Sequence, residues 1–184
     1  MDLPFSAIVI DVETAGDPDQ RIVEIGAVRL DEQFRISDEY ECLVDGRPMT
    51  DEVIRIHGIT SDMLEGKPAF RQMHGAFEFW CNQFKPYILF SWSDFDHCTL
   101  RDEYRREGLR YPHSGHAFDL KSIVWWAAIG NGFPARTFPV DRALSILGIP
   151  FEGQRHRALP DARMEAKLLQ YVARNPAVWN LSVS

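Results

Sequence analysis

Cysteine is scarce in this chain: Cys42, Cys81 and Cys98 are the three in 184 residues. They are too few and too scattered for a disulfide framework or a zinc site, and each fits a small core or boundary position in a reducing compartment. Long apolar runs are missing as well, so no stretch is a candidate transmembrane helix. The opening MDLPFSAIVIDVE has neither the basic start nor the small-residue cleavage site of a secretion signal. Internal repeats and low-complexity linkers are lacking. Positive charge is in deficit, with 20 Lys and Arg against 27 Asp and Glu and a formal net charge of −7. That counts against a protein that holds duplex nucleic acid mainly through a basic surface. These absences leave a soluble, cytoplasmic protein with no membrane contact. The length suits a single domain over residues 1–184.

What is present reads as a globular core, at 45% hydrophobic and 12% aromatic residues. Ala7 to Glu13 reads as a strand, and Arg21 to Leu30 alternates well enough to pair with it across the turn AGDPDQ. Glu39 to Val44 reads as a third strand of the same antiparallel meander. A short helix is expected from Thr50 or Asp51 to Gly58. Phe70, Met73, Phe77, Trp80 and Phe84 fall at helical spacing and predict a core-facing stripe. Tyr87 to Trp92 is a continuous apolar run, expected as a strand buried on both faces and paired in parallel with an earlier one. Helices are expected at Asp94 to Glu107, Leu120 to Ile129, Val140 to Leu147 and Pro160 to Arg174. The fold class is therefore α/β, a mixed sheet with helices packed on it.

Within this pattern, carboxylates occur where apolar residues would be expected. Side chains of a strand alternate, so Asp11 and Glu13 share one face while Ile8, Ile10 and Val12 take the other. Two like charges side by side are costly unless the strand end reaches solvent or a cation lies between them. Asp96 shares a helix face with Leu100 and Tyr104, the i+4 and i+8 positions, which points it at the core. Asp94, nearer the turn, reads as the N-cap of that helix. Asp161 leads the apolar stripe Met164, Leu168 and Val172, either as a first-turn acid favoured by the helix dipole or as a ligand. His156 stands five residues before it, in the loop EGQRH. Asp11, Glu13, Asp96 and Asp161 come from one strand end and two helix starts, points that converge at one edge of an α/β sheet. Four oxygen donors suit hard cations such as Mg²⁺ or Mn²⁺, and a histidine beside them could take a proton from water. The chemistry this implies is metal-dependent phosphodiester hydrolysis. Such ions would also offset more than half of the net charge and meet a phosphate that the protein surface would repel.

The motifs IDVETAG, SWSDFDHCTL and HRALPDA, in this order, resemble those of the DEDDh branch of the DEDD exonucleases, in the ribonuclease H-like superfamily. The likeness runs from Ile8 to about Val172. It implies a ribonuclease H-like fold with a mixed five-stranded sheet, three strands antiparallel and the rest parallel, flanked by helices. It also implies a 3′–5′ exonuclease that releases nucleoside 5′-monophosphates from single-stranded ends. Asp11, Glu13, Asp96 and Asp161 would hold two Mg²⁺ or Mn²⁺ ions and His156 would be the general base. SWSDFDHCTL and the segment HAFDLKSIVW, from His116 to Trp125, look most like the ERI-1-like group, whose members often act on RNA. HGIT, from His57 to Thr60, resembles a segment that in relatives lies near the 3′-terminal nucleotide. By that likeness Thr14 and Ala15 would meet the nucleotide through backbone groups and Ile59 would pack on its base. Trp92 is a candidate for base stacking or for the core. Three alternatives stay open: RNA as substrate, DNA in proofreading or repair, and a regulatory protein-binding relative with secondary nuclease activity. The partners expected are single-stranded RNA or DNA 3′ ends, with the protein itself a monomer or a homodimer.

Overall fold

Alternation along the first strand generates two separate cores. In the computed structural model, which describes residues 5–113, 117–130 and 139–174, strand β1 spans Ser6–Thr14 and is buried along most of its length. Its Ala7 and Val9 enter one apolar cluster, and Ile8, Ile10 and Val12 enter another. Strand β2 (Ile22–Leu30) pairs antiparallel with β1, and β3 (Ile36–Leu43) pairs antiparallel with β2. Strand β4 (Tyr87–Ser91) lies parallel on the other side of β1, and β5 (Ala117–Asp119) runs parallel to β4. The five-stranded sheet has the order β3-β2-β1-β4-β5. This mixed sheet is the α/β architecture expected from the sequence. Two described elements were not expected: β5, whose three residues are too few to display an alternation, and helix α2 (Ser61–Leu64), a single turn.

Helix α1 (Asp51–His57) opens at Thr50, whose side chain accepts the Val53 N–H, and closes at Gly58 in a left-handed conformation of φ 74° that suits glycine. The aromatic stripe becomes helix α3 (Phe70–Asn82), burying Phe70, Met73, Phe77 and Trp80. Together with α4 (Asp94–Arg106) it covers the Ile8/Ile10/Val12 face of the sheet. The opposite face is covered by α5 (Leu120–Gly130), α6 (Val140–Ile146) and α7 (Ala158–Arg174). Burial at roughly 25 cal/mol per Å² of apolar surface makes these two interfaces the main source of stability.

The start of α7 sits very close to the sheet. A methyl group built on Gly26 of β2 would overlap the backbone of Ala158 and Leu159. The bare glycine is what lets the helix approach. Beside it, the buried Glu24 accepts from Arg157 Nε at 3.0 and 3.1 Å and from the Ala158 N–H at 2.8 Å. The carboxylate thus satisfies a free N–H at the helix start and neutralises a neighbouring cation, the arrangement a buried charge requires. Arg163 of α7 also pairs with Glu39 of β3 at 2.6 Å. Among the described residues no helix is long and apolar enough to cross a membrane. Of the segment His116–Trp125, His116 lies outside the described residues, as does the C-terminal NPAVWNLSVS.

Candidate active site

Because Asp11 and Glu13 continue the Ala7/Val9 row of β1, they project toward the side covered by α7. Helix α7 carries Asp161 in its first turn. One carboxylate oxygen each from Asp11, Glu13 and Asp161 can be chosen so that all lie within 4.8 Å of one another. Asp96 reaches the same place from α4, at the end of the parallel strand β4. It is 6% exposed and receives the Val12 N–H at 3.3 Å. Its companions Leu100 and Tyr104 are fully buried, so the i, i+4, i+8 face does point inward. The N-cap of α4 is Ser93, whose side chain accepts the Phe95 N–H, and not Asp94 as the sequence suggested. Asp94 is instead the first helical residue, where its charge favours the helix dipole.

Two contacts fix the loop that carries His156: the Asp161 N–H donates to the Arg157 carbonyl at 3.0 Å, and Arg157 pairs with the buried Glu24. His156 itself is exposed and sits at φ 56°, a left-handed conformation that is uncommon outside glycine. It lines a cleft of about 280 Å³ together with Asp11, Asp96, Asp161 and Trp92. Trp92 packs against the core and also lines this cleft.

The electrostatics of the cleft are those of negative charges forced together. Burial, and after it the charges of Asp96, Glu165, Glu13 and Asp161, push the Asp11 carboxyl well above the usual carboxylate range. Burial and the neighbouring Asp161 and Glu24 push Glu13 up to about 8, with Arg157 acting in the opposite direction. Burial raises Asp96 to about 7 against the pull of the Val12 N–H. Burial also raises Asp161. Without a cation Glu13, and in part Asp96, retain protons near neutral pH. Clustered carboxylate oxygens are the donor set of a hard divalent ion, so the residues fit Mg²⁺ or Mn²⁺.

Glu165, absent from the sequence reading, lies in the same cleft, one helical turn after Asp161. Its signal was available: it is the i+4 neighbour of Asp161, on the face otherwise occupied by Met164 and Leu168. Three other expected residues, Thr14, Ala15 and Ile59, are buried and are not among the residues lining this cleft. Ile59 is fully buried with Ala15, Val23 and Leu64, so its side chain has no free surface for a base. The Ala15 N–H donates to the Arg21 carbonyl and the Ala15 carbonyl accepts from Thr50. The Thr14 carbonyl faces His57 Nε2 at 3.3 Å, and His57 Nδ1 accepts the Ile59 N–H at 2.9 Å. This pair of contacts assigns the tautomer with the proton on Nε2. HGIT therefore clamps the end of β1 to α1 with these backbone groups already engaged.

A family model described as Exonuclease (RNase_T) matches residues 8–169. The DNA polymerase III subunit epsilon of Rickettsia prowazekii (strain Madrid E) is 28% identical over 179 residues, covering 90% of this chain and 72% of that protein. A PolC-type DNA polymerase III of Thermotoga petrophila is 30% identical over 165 residues, which are 88% of this chain and 11% of that one. The chain spans a third or less of the length of several such relatives. Among solved structures, the nuclease domain of 3′hExo, described as a DEDDh family member bound to rAMP, superposes with a TM-score of 0.82. It is 19% identical and covers 95% of this chain and 94% of that domain.

Proposed function

The chain belongs to the RNase_T exonuclease family, and on that premise we propose that it is a divalent-metal-dependent 3′–5′ exonuclease of single-stranded nucleic acid, releasing nucleoside 5′-monophosphates. The observation that carries this reading is the convergence of Asp11, Glu13 and Asp161 within 4.8 Å, with Asp96 and His156 lining the same cleft. Two Mg²⁺ or Mn²⁺ ions, when bound, would polarise the scissile phosphate and activate the attacking water. Asp11, Glu13, Asp96 and Asp161 would hold them, and the Val12 N–H keeps the Asp96 carboxylate oriented. His156 at the rim would accept the proton of the attacking water as general base, its loop fixed through the Arg157–Glu24 pair. Trp92 in the cleft wall and the exposed Phe95 at the start of α4 offer rings for sequence-tolerant base stacking.

RNA as the favoured substrate rests on the likeness of SWSDFDHCTL and HAFDLKSIVW to the ERI-1-like group. DNA is a second reading, favoured by the DNA polymerase III relatives. Matched 5′-labelled single-stranded RNA and DNA, digested with Mn²⁺ and with EDTA, test both. We expect a metal-dependent ladder that shortens from the 3′ end, faster on RNA, and is abolished by Asp11→Ala. Faster digestion of DNA would select the second reading. Digestion that persists in EDTA or in Asp11→Ala would refute the mechanism.

A further inference from the structure

Glu165 belongs to none of the three motifs, yet its position in the cleft is not that of an ordinary core residue. It is 1% exposed. Its Oε2 has no hydrogen-bond partner among the described residues. A buried, unpartnered carboxylate oxygen costs about 1–3 kcal/mol or more, because water that solvated it in the unfolded chain is not replaced. A methionine or leucine at this point of α7 would continue the stripe of Met164 and Leu168 at no such cost.

The neighbours of this carboxylate show where it acts. Glu165 lines the cleft together with Asp11, Asp96 and Asp161, whereas Glu13 is not among its lining residues. Glu165 therefore faces the same space as Asp11 and Asp96. An oxygen left without a protein partner, in a cleft built of cation ligands, is an acceptor suited to water carried on a bound ion.

We propose that Glu165 is a fifth carboxylate of the divalent-cation site, a positioning residue that accepts hydrogen bonds from water on the ion nearest Asp11 and Asp96 and thereby raises its affinity. The proposal rests on the metal-dependent reading of this cleft. Its test is Mn²⁺ titration calorimetry on the full chain without nucleic acid, for the wild type, Asp11→Asn, Glu165→Gln and Glu165→Met. Thermal melts in EDTA accompany each titration. The glutamine keeps the shape and removes the charge; the methionine removes both charge and acceptor. Both Glu165 variants should bind Mn²⁺ roughly 10- to 100-fold more weakly, with EDTA melting temperatures equal to or above wild type. Equal Mn²⁺ affinity in a folded Glu165→Gln or Glu165→Met, with binding lost in Asp11→Asn, overturns this proposal and leaves the metal-dependent reading standing. A folded wild type that takes up no Mn²⁺ overturns both.

Discussion

His156 shows how much of a single residue's role its backbone decides. Its φ is 56°, in a loop where Arg157 accepts the Asp161 N–H and is locked to the buried Glu24. Replacing the ring with a methyl group leaves those ties intact. His156→Ala should therefore lower kcat by roughly 10²–10⁴ with little change in KM, the scale of a lost general base. A variant that retained wild-type kcat in steady-state kinetics would remove the imidazole from the mechanism. Phe95 predicts the opposite division. Its half-exposed ring contributes to no described core cluster, so Phe95→Ala should raise KM for single strands by about the 1–3 kcal/mol of one stacked base and spare kcat. The carboxylates Asp11, Glu13, Asp96 and Asp161 were legible as isolated anomalies, acids set in apolar patterns. Glu165 is less legible, because it sits at i+4 beside the Met164, Leu168 and Val172 stripe, and glutamate is an ordinary residue of a helix. The packing of Ile59 is not legible either, because its burial beside Ala15 and Val23 joins segments far apart in the chain.

Among the elements, α7 and β2 decide whether the site assembles. The helix supplies Asp161 and follows the His156 loop, and it approaches the sheet at Gly26 because nothing projects there. Gly26→Ala must push the first turn of α7 away. We expect about 1–3 kcal/mol of lost stability in denaturant unfolding, and a loss of activity larger than that destabilisation explains, since Asp161 and His156 move with the helix. Activity equal to wild type in this variant would show that the turn can shift without disturbing the site. Strong periodicity made α3, α4 and α7 readable to within a residue or two, since their buried faces are dictated by the 3.6-residue repeat. Strand β5 and helix α2 escaped because three or four residues carry too little pattern, and they form only where the rest of the fold holds them.

At the level of the whole molecule, the acidic cleft sets how stability responds to pH and metal. With Glu13 raised to about 8 and Asp96 to about 7, the metal-free folded protein binds more protons than the unfolded chain between about pH 4.5 and 8. Stability then falls as pH rises through that window, with a slope of about 1.4 kcal/mol per pH unit for each extra proton held. Their contribution is fully present below the unfolded pKa values and is lost as pH passes the folded ones. Divalent ions reverse the sign, since they bind the deprotonated carboxylates and displace those protons. In EDTA the melting temperature should drop from pH 6 to pH 8, and the rise produced by Mn²⁺ should be larger at pH 8. A metal-induced shift that is the same at both values would contradict the proton–metal exchange.

The sequence by itself determined the elements and the candidates: alternation placed Asp11 and Glu13 on one face, and helical spacing turned Asp96 and Asp161 inward. These are local properties, carried by periods of two and 3.6 residues. The tertiary structure decided which candidates meet. Parallel pairing of β4 with β1 brings Asp96 to the Val12 N–H, and the bare surface at Gly26 lets α7 bring Asp161 to Asp11. It also decided what is sealed off, as with Ile59, and what is left without a partner, as with Glu165. Contacts between residues far apart in the chain depend on how closely layers pack, and no local pattern encodes that distance.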